Sequence, residues 1–133
     1  MRPNLAVLAL LATCLTASVA VAQVQKASVT FESLSASGVS GDGTLRALPD
    51  GEVQIRATLS GLQPNTEYIA LLFDASQSCA DGTSNLQVIQ FESNPAGKAT
   101  WNTKVATSLA AIQSVGIRVQ STNALVACGA VTQ

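Results

Sequence analysis

The sequence predicts an all-β domain: a Greek-key β-barrel or sandwich of about eight short antiparallel strands, closed by one disulfide. Three observations predict it. Apolar and polar residues alternate with period two in four separate segments. Turn residues punctuate the chain between them. Two cysteines remain in a chain that reads as exported.

The N-terminus sets the compartment. Arg2 supplies a positive start, Leu5 to Leu15 is a short apolar run, and Ala20-Val21-Ala22 puts small residues before Gln23. A membrane-spanning helix needs roughly 20 apolar residues, and Thr13, Thr16 and Ser18 interrupt this run. Residues 1–22 are therefore expected to be a signal peptide, cut between Ala22 and Gln23. Residues 23–133 are left as one domain, secreted or periplasmic, with no transmembrane segment. A lipoprotein reading would use Cys14, but Cys14 comes very early and Thr13 is a poor residue in front of a lipidated cysteine.

Export gives the remaining cysteines a meaning. Cys14 leaves with the signal, and Cys79 and Cys128 form an even pair in an oxidising compartment. One intramolecular pairing exists. Closing a loop of about 50 residues stabilises by roughly 4 kcal/mol on the chain-entropy argument. Free thiols are the alternative, but two thiols make only half a zinc site.

The strands follow in order. Ala27, Val29 and Phe31 alternate with Ser28, Thr30 and Glu32. Ser33 to Gly43, rich in Ser and Gly, reads as a flexible connection, with Gly41-Asp42-Gly43 as a turn signal. Pro49-Asp50-Gly51 reads as a hairpin turn into Val53, Ile55, Ala57 and Leu59. Tyr68 to Phe73 and Leu86 to Phe91 are denser apolar runs, as strands covered on both faces would be. Asn94-Pro95 precedes the alternation Ala99, Trp101, Thr103, Val105. Thr107 to Ile112 reads as a loop with a short helix capped at Thr107 or Ser108. Val115, Ile117 and Val119 end at the turn signal Thr122-Asn123.

Composition removes several function classes. Net charge is −1, from 7 Lys+Arg against 8 Asp+Glu. The mature cations are few and scattered along the chain, so no nucleic-acid partner is expected. The chain has no histidine. A Ser–His–Asp triad and imidazole metal sites are therefore impossible.

Two motifs carry a resemblance. One is Leu59-Ser60-Gly61-Leu62-Gln63-Pro64-Asn65-Thr66-Glu67-Tyr68, and the other is Ala127-Cys128-Gly129-Ala130-Val131. Together they resemble the copper/zinc superoxide dismutase family. There, a Gly-Leu corner follows the third strand, and a cysteine in the next loop bonds to an Ala-Cys-Gly motif in the last strand. The resemblance implies the same fold, with Cys79 and Cys128 in those places, over most of residues 24–132. It does not extend to the metals. The family's first copper ligands are a His-x-His pair, and the matching positions are Ala70 and Leu72. The family's active-site arginine falls on Leu125. Arg118, the nearest arginine in sequence, is outside the motif, and both family loops are too short here.

Leu62-x-Pro64-x-Thr66-x-Tyr68 also resembles a fibronectin type III corner, where the Tyr hydroxyl ties back to the backbone and only two strands follow. Secreted domains similar to the repeats of chordin share the general strand pattern, but lack the Ala-Cys-Gly ending. Asp42, Asp74 and Asp81 lie in or near loops, and Asp81-Gly82-Thr83-Ser84-Asn85, within the loop Asp74–Asn85, carries oxygens that calcium could use, although Asp-Gly and Ser-Asn are turn residues first. A serine nucleophile would need Lys26, Lys98 or Lys104 as base, and no motif surrounds them. Glu67 and Glu92 could pair for glycoside hydrolysis only if the fold brought them together. Trp101 reads as core.

The expectation is a secreted, non-catalytic dismutase-like barrel, a pseudoenzyme without metal or other cofactor that binds an unknown protein or small molecule. The alternatives are an enzyme with an unconventional metal site and an immunoglobulin-like or fibronectin-like partner-binding domain.

Overall fold

The computed structural model describes residues 25–79 and 86–133. The expected signal peptide, its expected cleavage site and Cys14 lie outside the described residues, as does Asp81 to Asn85. Eight strands form: β1 Lys26–Ser33, β2 Ser40–Ala47, β3 Val53–Ser60, β4 Glu67–Phe73, β5 Gln87–Glu92, β6 Ala99–Val105, β7 Ser114–Val119 and β8 Leu125–Thr132. Every pairing is antiparallel, in the order β5-β4-β7-β8-β1-β2-β3-β6. The sheet curls into a nearly closed barrel, and the links β3→β4 and β6→β7 skip neighbours, the Greek-key device. Among the described residues no helix is long and apolar enough to cross a membrane.

Alternation does what it predicts. Ala27, Val29 and Phe31 point inward from β1, and Val53, Ile55, Ala57 and Leu59 from β3. Ala99, Trp101 and Val105 of β6 join Val115 and Ile117 of β7 in the same core. β4 is buried on both faces: Tyr68, Ala70 and Leu72 enter the barrel, whereas Leu71 and Phe73 pack outside it with Cys79. Single-turn helix Leu109–Ala111 follows Ser108 and plugs Leu109 into the core.

Two segments depart from expectation. Gly41-Asp42-Gly43 is not a turn but the middle of β2. A Cβ on Gly41 would stand 2.1 Å from the Thr58 carbonyl oxygen, so the glycines let β2 lie close on β3. Their composition suggests flexibility, yet their role is close approach. β5 is not covered on both faces either. It is an edge strand on which only Ile89 is buried, and Val88 is 42% exposed.

Two local devices hold the ends. In the Pro49-Asp50-Gly51 hairpin, Gly51 takes φ +87° and Asp50 Oδ1 accepts the Glu52 N–H at 3.0 Å. The Cys79–Cys128 disulfide, Cα–Cα 5.8 Å, ties the loop after β4 to β8. Gly129, beside it, sits where a Cβ would be 2.6 Å from the Thr30 carbonyl oxygen and 2.5 Å from Val29 Cγ2, so β8 closes on β1 only with glycine there.

Candidate functional site

The corner after β3 is built by three groups. Gly61 turns the chain at φ +74°. The Tyr68 hydroxyl, on a ring only 1% exposed, accepts the Gln63 N–H at 2.9 Å. Ser93, buried in the β5–β6 loop, accepts the Thr66 N–H at 3.0 Å and donates to the Gln63 carbonyl. Ser93 escaped the sequence reading because nothing in one dimension relates residue 93 to residues 63 and 66.

This corner forms one wall of a cleft of about 620 Å³ at one pole of the barrel. Ser35 and Ser37 of the β1–β2 loop form the second wall, and Thr122 of the β7–β8 turn with Leu125 and Val126 at the start of β8 form the third. The lining is hydroxyls, an amide and aliphatic carbons, with no charged side chain. Ser37 Oγ donates to the Val126 carbonyl at 2.6 Å, locking two walls together. Ser35 and Ala36 are both left-handed, at φ 54° and 52°. Residues with a Cβ hold that conformation at a cost, and such strain gathers at functional loops.

The sequence-predicted positions distribute as follows. Ala70 and Leu72 are fully buried among aliphatic side chains. The opposite face of β4 offers Glu67, Ile69, Leu71 and Phe73, and its one carboxylate, Glu67, is exposed at the start of the strand and is not at the Ala70 and Leu72 positions. Leu125 lines the polar cleft, and Arg118 sits directly across the β7–β8 ladder from it. The Arg118 guanidinium is committed to the Asn123 carbonyl at 2.9 Å and thereby braces the turn.

Glu67 and Glu92 are brought together as cross-strand partners of β4 and β5. Both are exposed on the outer sheet surface, outside the polar cleft. Glycoside hydrolysis needs carboxyl groups that flank a bound sugar, and two neighbours side by side on an open sheet do not enclose one. Asp74 closes a turn on Ser76. The Ser76 hydroxyl, and after it the Ser76 N–H, hold its carboxyl below the usual value. Both bonds fall on Asp74 Oδ1. Among the described residues no three His, Cys, Asp or Glu side chains cluster as a metal site would require.

Trp101 is core, 8% exposed, stacked on Phe91 at 5.9 Å, and Phe91 stacks on Tyr68 at 5.7 Å. The three rings bridge the seam where β5 and β6 meet without a ladder. Lys98 lies exposed in the β5–β6 turn, while Lys26 and Lys104 lie exposed on the outer face of β1 and β6. In comparison with known proteins, no protein-family model and no curated sequence matches the chain.

Proposed function

We propose that the chain is a secreted, non-catalytic barrel of dismutase-like build that acts as a binding module, with the polar cleft as its binding surface. The observation that carries the reading is the strained β1–β2 loop. Two successive left-handed residues, Ser35 and Ala36, stand in this loop, and Ser35 is among the hydroxyls that line the cleft. A lining without charge suits a neutral polar ligand or the polar loop of a partner protein.

The dismutase-like part is supported by the position of the staple. The Gly-Leu corner follows the third strand, and the disulfide runs from the loop after the fourth strand to the last. The donor set supports loss of metal chemistry, since Ala70, Leu72 and Leu125 occupy the ligand and arginine positions. The Tyr68–Gln63 bond favours a fibronectin-like corner locally. Five strands follow that corner, however, where the fibronectin pattern has two.

The test is copper and zinc stoichiometry by elemental analysis. It uses untagged protein starting at Gln23, after metal saturation and desalting. The expected result is far less than one metal per chain. One tightly held copper per chain would overturn the non-catalytic reading.

A further inference from the structure

The cations are scattered along the sequence but not in space. Four of the six mature ones, Lys26, Arg46, Arg56 and Lys104, share the outer face of β1, β2, β3 and β6. The registers place them. Lys26, Arg46, Gln54 and Lys104 stand in one row across four strands. Ser28, Thr44, Arg56 and Asn102 form the next row. Strands are spaced about 4.8 Å apart, and rows on one face are about 6.7 Å apart. All four cations are exposed. A hollow of about 280 Å³ is lined by Lys26, Arg46 and Arg56 together with Thr44, Leu45 and Gln54.

The carboxylates nearest in the registers lie outside both rows. Asp42 is one row beyond Thr44, Glu52 is in the turn before Gln54, and Glu32 is at the far end of β1. Lys26 and Arg46, directly opposed with no carboxylate in their row, repel each other across the ladder. That opposition weighs against folding, and an anion bound between the two side chains would relieve it.

We propose that this hollow binds a small soluble anion bearing two or three phosphate or sulfate groups. Two arginines offer planar forks that match such oxygens, and Thr44 and Gln54 add neutral hydrogen-bonding groups. Groups about 5–7 Å apart on the ligand would meet cations at the same spacing. A lipid surface fits less well: Val88 is the exposed large hydrophobic among the described residues, and one valine offers a bilayer little apolar area to bury. A single-stranded nucleic acid fits less well too, because Tyr68 and Trp101 are buried and give bases nothing to stack on.

The test is calorimetric titration and thermal melting of the chain from Gln23 with inorganic tripolyphosphate at low salt. Tripolyphosphate is expected to bind more tightly than orthophosphate, to weaken with added salt and to raise the melting temperature. Arg46→Gln with Arg56→Gln should weaken binding at least about tenfold. Lys98→Gln, which removes one charge elsewhere as Arg46→Gln does on this face, should leave it unchanged. Arg46→Gln alone should raise the melting temperature of the free protein, because it relieves the opposition to Lys26, and should shrink the rise caused by tripolyphosphate. No binding at millimolar tripolyphosphate, or an equal loss in Lys98→Gln, would overturn the proposal. So would tighter binding to phosphatidylglycerol vesicles than to tripolyphosphate, since the source would then be a lipid headgroup.

Discussion

Tyr68 and Ser93 show how much one hydroxyl can hold. Both bond to the backbone between Gln63 and Thr66, and both are buried. Tyr68→Phe leaves the Gln63 N–H without its acceptor and should cost about 1–3 kcal/mol. Chemical denaturation should show a lower midpoint with an unchanged slope. Ser93→Ala should cost a similar amount. Because both side chains brace one corner, the double variant should lose less than the sum, and strict additivity would argue against a shared role. At Asp74 the bonds from Ser76 favour the carboxylate, so the folded value lies below the unfolded one, near 3.8. Its contribution to stability is then present above that unfolded value and is lost as pH falls through the folded value. An NMR titration should find the Asp74 carboxyl below 3.8 and, in Ser76→Ala, moved upward.

Strands β2, β5 and β8 show where period-two reading succeeds and where it stops. Alternation tells which residues face inward, and it does so on β1, β3 and β6. It does not tell whether the outer face is covered. The runs that hold β4 and β5 both read as covered on two faces, yet β5 is an edge and β4 lies between β5 and β7. Glycine in β2 looks like a turn because spacing between neighbouring backbones is invisible along the chain. In β8, Gly129→Ala should cost about 1–3 kcal/mol through contact with the Thr30 carbonyl and Val29. An unshifted denaturation midpoint would show that β1 and β8 can part to make room. Cys128→Ser should cost about 2–5 kcal/mol by the same assay. A shift near zero would remove the structural role of the staple.

Across the whole molecule, Trp101 is a useful reporter, being the sole tryptophan and packed at the β5–β6 seam. Its emission should be blue-shifted in the native state and should redden in a single step that coincides with loss of far-ultraviolet β-signal. Two separate transitions would show that the β5-β4-β7 side of the barrel unfolds apart from the β1-β2-β3 side. The charge layout belongs to this scale as well. A chain of net charge −1 carries a local concentration of cations on one face and an opposed Glu67–Glu92 pair on another. Overall charge predicts neither.

The sequence by itself determined the all-β class, most strand positions, the inward faces and the cysteine pair, because these depend on local periodicity and on a choice with one solution. The candidate sites are a different matter. The polar cleft joins residues 35, 63 and 125, and the cationic rows join residues 26, 46, 56 and 104. Only strand order and register bring such residues within a few ångströms of one another. A one-residue change of register in β1, β2, β3 or β6 would turn the cations of that strand to the other face.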